Sequence, residues 1–464
     1  MFTAVPCTVR EDGAPMRKSF DRQRPLTHLW LDHPQAKHLE HMAQLLDALP
    51  EATELAFGDL VAAGVDPHLG RQGMSAEQVL RVLILKQMQD FSYEELEFHL
   101  ADSATYRAFC GLGIADTAPS KSTLQRNIKV ISEQTLEAIH RMVVACAKRE
   151  GVDNGKRVRV DSTVINAAIH PPTDSSLLKD SVRVLTRLLS RARRWTKKKS
   201  TDHRRRAKRR ALGITHARSA EQRLPLYRDL IAVTKKTLRA ARVASSILPR
   251  VQAGKEQAEV DRLVEQLRYH VLAAERVLDQ AERRVLRGQS VPAQQKVVSI
   301  FEPHVDVIVK DHRETLYGHK VFFSAGASGL VVDVVVPRGN PADSAMATTM
   351  MTRHVEICGE PPKQAAFDGG FASQSNLDAL KGLGIRDVAF SKRRGLDVME
   401  MVKSPRIYRA LRNFRAGIEG IISYLKRAFG LARCDWRTLA SFRAYVMASV
   451  IAANLLTIAL GVAR

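Results

Sequence analysis

Apolar positions recur at helical spacing through the first third of this 464-residue chain, and near residue 156 the period changes to two. Residues 36–49 fit one amphipathic helix, in a mixed region punctuated by Pro25, Pro34 and Pro50. Ser75-Ala-Glu-Gln78 reads as a capping box, opening a helix whose apolar face runs through Val79, Leu80, Val82, Leu83, Leu85 and Met88. A second cap at Ser92 starts a helix over Tyr93 to Leu100, and Ser122 to Ile128 leads into another that runs to about Arg149. Short helices with polar turns, carrying Gln125, Arg126 and Lys129, fit either a helix-turn-helix-like DNA reader or a bundle that braces the next domain.

In Lys156-Arg-Val-Arg-Val-Asp161 one face holds Val158 and Val160, and the other Arg157, Arg159 and Asp161: a strand ending in an acid. Further strands are expected at His304 to Lys310, Lys320 to Ala325 and Leu330 to Pro337, the last two joined by a glycine-containing turn. The run Leu330 to Val336 is apolar on both faces, which predicts a central position in the sheet. Gln364 to Asp368 is another short strand ending in an acid, followed by Gly369-Gly370. Between the strand groups, residues 178–298 are almost entirely helix-forming.

Composition adds a partner. The net charge is +23 and the pI about 10.1, an excess that calls for a polyanion: nucleic acid first, an anionic membrane surface second. Twelve of the cations fall within Arg191 to Arg210, with Asp202 as the one acid. Like charges at that density repel, so the segment is read as a clamp on the DNA backbone or a flexible basic arm, not as core. The five cysteines are scattered without metal-ligand spacing, which fits a reducing cytoplasm and neither a zinc ribbon nor a disulfide framework. The N-terminus lacks the continuous apolar run of a signal peptide. Ala444 to Ala463 approaches membrane-span length, but Ser449, Asn454 and Thr457 interrupt it, and a buried C-terminal helix is expected.

The candidate chemistry lies on carboxylates. Arg415 to Lys426 reads as a helix that places Glu419 in a row with Arg415 and Lys426, beside an apolar stripe of Ile418, Ile421, Ile422, Leu425 and Phe429. Taken alone, Arg415 and Glu419 are an ordinary i,i+4 pair. With Asp161 and Asp368 at strand ends they become a candidate set of three acids for divalent cations. Phosphodiester chemistry uses two hard cations about 3.5–4 Å apart, and carboxylate oxygens suit Mg²⁺. Several neighbours carry plainer readings. Asp174 is read as part of a helix N-cap, Gly369-Gly370 as a tight turn beside Asp368, and His170 and His319 as satisfying backbone groups or touching DNA. Trp195 in the basic run is a weak candidate for base stacking.

The wording of these blocks resembles a known family. Val160 to Leu178, with Asp161-Ser-Thr-Val-Ile-Asn and Pro171-Pro172-Thr173-Asp174, resembles the first catalytic block of bacterial insertion-sequence DDE transposases, more particularly the ISNCY-like and five-type group. Tyr317-Gly-His-Lys320, Gly339-Asn-Pro-Ala-Asp343-Ser344 and Phe367-Asp368-Gly-Gly-Phe371 are similar to its internal strands, turn and second acidic block. The Arg415, Glu419, Lys426 spacing is similar to its last block, and Gly70 to Leu80 with Ser92 to Leu96 resembles the helical domain that precedes such cores. Arg412 stands where the family pattern has a tyrosine, with Tyr408 one helical turn earlier as a partial substitute.

The resemblance implies an α/β, ribonuclease-H-like mixed-sheet core with Asp161, Asp368 and Glu419 as catalytic residues and metal ligands. Mg²⁺, as two ions, is the implied cofactor, with Mn²⁺ as a substitute. Residues 1–150 are expected to form a helical DNA-binding or assembly region, 151–177 and 299–464 the two parts of the core, and 178–298 a basic helical insertion. Arg415, Lys426, Arg412, Lys198, Arg205, Arg209 and Arg126 are the expected DNA contacts. The expected activity is cleavage at element ends and joining of the 3′-hydroxyls to target DNA. Its partner is double-stranded DNA (the inverted-repeat ends and the target), handled by a dimer or larger assembly in the bacterial cytoplasm, with no membrane involved. A nuclease of the same fold that only hydrolyses, and an inactive DNA-binding relative, are the alternatives.

Overall fold

The computed structural model describes residues 19, 32–66, 68, 73–113, 115–310 and 314–462. Cys7, Pro25 and Gly70–Gln72 of the sequence reading lie outside them. The chain packs as two compact units, one of Met1–Ala168 with His319–Arg464 and the other of Ile169–Gly318.

The first unit is built on a sheet. Its strands are β1 (Arg157–Ala167), β3 (Glu314–Ala325, entering from the other unit), β4 (Val331–Val335), β5 (Gln364–Phe367), β6 (Asp387–Phe390) and the short β7 (Arg433–Cys434); β2 (Asp306–Lys310) pairs antiparallel with the first half of β3. Across the sheet the order is β4-β3-β1-β5-β6, with β4 antiparallel to β3, β5 and β6 parallel to β1, and β7 also on β1. Side-chain alternation divides the two faces. Val158, Val160 and Phe322 join β5, β6 and the Ala347–Cys358 helix in one core, while Ile165, Val321 and Phe323 join the N-terminal helices and the Leu439–Val462 helix in another.

The helices before β1 largely follow their caps. Ser75 and Ser92 both close full capping boxes, over Ala76–Gln89 and Tyr93–Asp102. The segment from Ser122 to Ile128 and the run it leads into form two separate helices. Lys121–Ile128 ends at Lys129, and Ser132 caps a new start at Glu133–Arg149 by accepting from the Thr135 amide. Leu124 and Ile128 are buried in the same core as the sheet, so this helix braces the unit, while Arg126 is exposed.

Two strand expectations are corrected. β1 does not stop at Asp161; the β-branched run Thr163-Val164-Ile165 carries it to Ala167, leaving Asp161 in mid-strand. β4 is not central, since it pairs with β3 alone. It is apolar on both faces because helices cover it: Ala347–Cys358 and Leu439–Val462 both pack there. Asp333 on β4 is 1% exposed and is matched by Arg353, which donates to both carboxylate oxygens at 2.8 and 2.9 Å. The apolar C-terminal segment is a buried helix, as expected. Among the described residues its Leu439–Gly461 stretch is long and apolar enough to cross a membrane, and 78% of that window is buried inside the protein.

The second unit is a helical bundle of Asp174–Thr196, Arg204–His216, Ala220–Ile247 and Gln257–Ala281 around a core that includes Leu185, Leu188, Leu230, Leu238, Leu263 and Leu267. The basic run is therefore no flexible arm: it spans the end of one helix and the start of the next. Ala192, Ala207 and Ala211 supply the small buried contacts that let such charged helices pack.

Candidate active site

Register places two acids side by side. The last paired positions of β1 and β5 are Val160 and Phe367, so Asp161 and Asp368 are the next residue on each of two adjacent parallel strands. The Pro405–Ala428 helix crosses nearby, burying Tyr408, Leu411, Ile418, Ile422 and Leu425. Arg159, two residues before Asp161, pins that helix: its Nη1 donates to the Phe414 carbonyl at 3.1 Å, and its guanidinium lies 4.6 Å from the Phe414 ring centre. Gly417 makes room for it, because a β-carbon there would meet Arg159 Nη1 at 2.2 Å.

Thus held, Arg415 reaches all three acids. Its Nη2 donates to Asp161 Oδ2 at 2.6 Å and lies 3.2 Å from Asp368 Oδ1, while Nη1 donates to Glu419 Oε1 at 2.8 Å. The Arg415 and Asp161 side chains are each 13% exposed, whereas Glu419 is 66% exposed. Burial pushes the Asp161 carboxyl up to about 6, against the pull of Arg415 and its own hydrogen bond from the Ser162 amide. Asp368 moves the other way. Burial opposes its charge, but Ser391 Oγ at 2.8 Å, the amides of Gly369 and Gly370 and the Arg415 cation together hold it below the usual carboxylate range. Lys426 also turns inward, donating to the Val164 carbonyl of β1 at 2.9 Å.

Two adjacent strand acids and a helix acid around one cation make a polyanion-processing site a concrete reading, and the comparisons supply the family. A profile described as Transposase domain (DUF772) matches residues 31–130, and one described as Transposase DDE domain matches residues 310–455. The chain is a DDE transposase of the insertion-sequence kind. None of the curated proteins and none of the solved structures gives a match. As a member of this family the transposase is a DNA-cutting and DNA-joining enzyme, of a kind that normally uses divalent metals. The DDE match contains Asp368, Arg415, Glu419 and Lys426, and Asp161 lies ahead of it in sequence.

The transposase also gathers residues the sequence reading passed over. Asp343, quoted there only as part of a turn, accepts from Ser162 Oγ at 2.9 Å and pairs with Lys320 at 2.8 Å through the same oxygen. Its other oxygen would lie 2.6 Å from a β-carbon at Gly370, and Gly369 is equally crowded by Lys392 Cβ at 2.6 Å. The glycine pair thus serves close approach of neighbours to the strand end rather than a left-handed turn. Ser391, which holds Asp368, follows β6, a four-residue strand that the sequence reading also missed.

Other expectations fall elsewhere. Tyr408, one turn before Arg412, is buried, and its hydroxyl donates to the Phe390 carbonyl at 2.9 Å. Asp174 belongs to the bundle, where Thr173 is the actual N-cap and Asp174 accepts from Gln280 and Arg284. His170 bonds the adjacent Pro171 carbonyl, and the buried His319 packs edge-on to Phe442. Arg126 forms no ion pair or side-chain hydrogen bond with the three acids. In the basic run, Arg191, Arg194, Arg204, Arg206 and Arg210 are neutralised by Glu259, Glu256, Asp202 and Asp229, whereas Lys198, Arg205 and Arg209 are exposed and pair with no acid among the described residues.

Proposed function

We propose that this transposase cleaves the ends of its mobile element and joins the freed 3′-hydroxyls to target DNA at a site built from Asp161, Asp368 and Glu419. One observation carries the reading: a single guanidinium, Arg415, contacts all three carboxylates, although the first two acids lie 207 positions apart in the chain. The strand order β4-β3-β1-β5-β6, antiparallel then parallel, supports a ribonuclease-H-like core with the bundle as its insertion.

The donor chemistry fits divalent ions, because carboxylate oxygens from two neighbouring strands and one helix face a common point, and hard cations take such ligands. Among the described residues no group of three or more His, Cys, Asp or Glu side chains is already gathered as a metal site, and it is Arg415 that supplies the positive charge between the acids. Asp161, Asp368 and Glu419 would hold Mg²⁺, or Mn²⁺ in its place. A pair of such ions supplies activation of the attacking oxygen and charge stabilisation at the leaving oxygen. The protein's own part is positional. Ser391 and the Gly369 and Gly370 amides keep Asp368 ionised, the Ser162 amide orients Asp161, and Arg159 with Phe414 fixes the helix that carries Arg415 and Glu419. Lys198, Arg205 and Arg209 would bind backbone phosphates, on a protein that works at the nucleoid as a dimer or larger assembly because two ends must be brought together.

The discriminating experiment supplies pre-cut ends. With Mg²⁺ and duplexes carrying the inverted repeats that flank the coding region, the protein should transfer their 3′-hydroxyls into a target plasmid. Cleavage of uncut ends without any joining would replace the proposal by a hydrolytic nuclease, and binding without either reaction by an inactive relative.

A further inference from the structure

We infer that the turn Lys392-Arg393-Arg394, with Arg409 and Arg412 beside it, is a phosphate-binding track that holds the DNA backbone next to Asp368. The inference rests on the proposed end-joining reaction and specifies where the DNA backbone runs beside Asp368.

The turn leaves β6 directly from Ser391, whose hydroxyl donates to Asp368 Oδ1 at 2.8 Å. Lys392 starts against the residue that follows the acid: its β-carbon lies 2.6 Å from where a side chain at Gly369 would begin, so only glycine lets the two segments meet so closely. All three cations are exposed and pair with no carboxylate among the described residues. The nearby acids do not compensate them, for Asp397 caps the next short helix through the Met399 amide and Glu400 forms no ion pair among the described residues. Arg394 adopts φ +49°, a left-handed conformation that a non-glycine residue holds at some cost.

The second half of the track lies on the Pro405–Ala428 helix. Tyr408 ties that helix to the end of β6 by its bond to the Phe390 carbonyl, two residues before Lys392. Arg409 and Arg412 follow Tyr408 on the exposed side, at the spacing that continues through Ala416 to Glu419. Neither pairs with an acid among the described residues, although Arg412 lies over the Tyr408 ring at 5.9 Å. Two independent segments, anchored at one strand end, therefore present five uncompensated cations beside an acid of the site. A row of exposed arginine and lysine side chains without apolar surface between them suits repeated phosphates, not a base edge or an apolar peptide.

The test uses full-length protein carrying Lys392→Gln, Arg393→Gln and Arg394→Gln together, with Arg409→Gln/Arg412→Gln as a second variant. Both alter exposed side chains, and an unchanged thermal midpoint verifies folding. Binding to a random-sequence duplex is measured by fluorescence anisotropy over a salt series. Each lost phosphate contact lowers the slope of log K against log salt by about 0.9, so the triple variant should lose about 2 to 3 in slope and about tenfold or more in affinity at moderate salt. A slope and affinity equal to those of the unaltered protein would overturn the track, even if end joining is intact. If instead the slope falls as expected while the unaltered protein never joins pre-cut ends, the track stands and the proposed joining reaction fails.

Discussion

Asp161→Asn, Asp368→Asn and Glu419→Gln should each reduce Mg²⁺-dependent cleavage of cognate ends by about a thousandfold or more, a loss of roughly 4 kcal/mol in transition-state stabilisation. Duplex binding should change little, because the three acids contribute no phosphate contact. The largest loss is expected at Asp161, the most buried of the three and the one placed by register beside Asp368. The pH dependence follows from the same residue. Its carboxyl is pushed up to about 6 by burial, so below that pH it carries a proton and donates no charge to an ion. Cleavage should therefore fall about tenfold per unit on the acid side, and higher Mg²⁺ should move that limb to lower pH, since ions compete with the proton. Rates that stay flat from pH 5 to 8, or a variant of any of the three that cleaves normally, would remove that residue from the site.

Arg415→Ala should destabilise the metal-free protein by about 3 kcal/mol at neutral pH, a value at the low end for a broken buried pair because Asp368 and Glu419 reach solvent. The sign with pH is definite. Without the guanidinium, Asp161 loses its compensating charge and its carboxyl rises further above 6, so the folded state, already the stronger proton binder, takes up its proton at a higher pH still. The destabilisation is therefore greatest above the variant's own raised value and shrinks as pH falls from there toward 6. Millimolar Mg²⁺ should raise the denaturation midpoint of this variant more than that of the unaltered protein, because the ion restores charge between acids that have lost their own cation. Denaturant unfolding with and without Mg²⁺ measures both effects, and equal midpoint shifts would show that Arg415 is not the charge that holds the acids together.

Much of the site could be read from the chain because its acids sit in local patterns. Alternation around Val158 and Val160 exposed the strand that carries Asp161, and the apolar stripe around Ile418 gave the helix that carries Glu419. What could not be read was anything set by register or by crossing. The helical spacing of Arg415 and Glu419 shows an i,i+4 pair, and only the packing of Arg159 on Phe414 sends the other half of the guanidinium to Asp161 and Asp368. Asp343 went unnoticed because an acid in a Gly-Asn-Pro turn is commonplace until Ser162 and Lys320 are seen beside it. β6 was too short to show a period, and so the basic turn that follows it had no context. The edge position of β4 illustrates the limit from the other side: apolarity on both faces reports burial, and helices bury a strand as completely as neighbouring strands do.

The central claim is that one divalent-ion site draws on β1, the end of β5 and the Pro405–Ala428 helix together. Fe²⁺ substituted for Mg²⁺, with ascorbate and peroxide, generates radicals that cut the polypeptide beside the bound ion, and the cut positions can be mapped by mass spectrometry without any DNA reaction. The account predicts fragments ending near Asp161, near Asp368 and near Glu419, all three suppressed by excess Mg²⁺. Cuts at only one of these segments, or at places remote from all three, would contradict it.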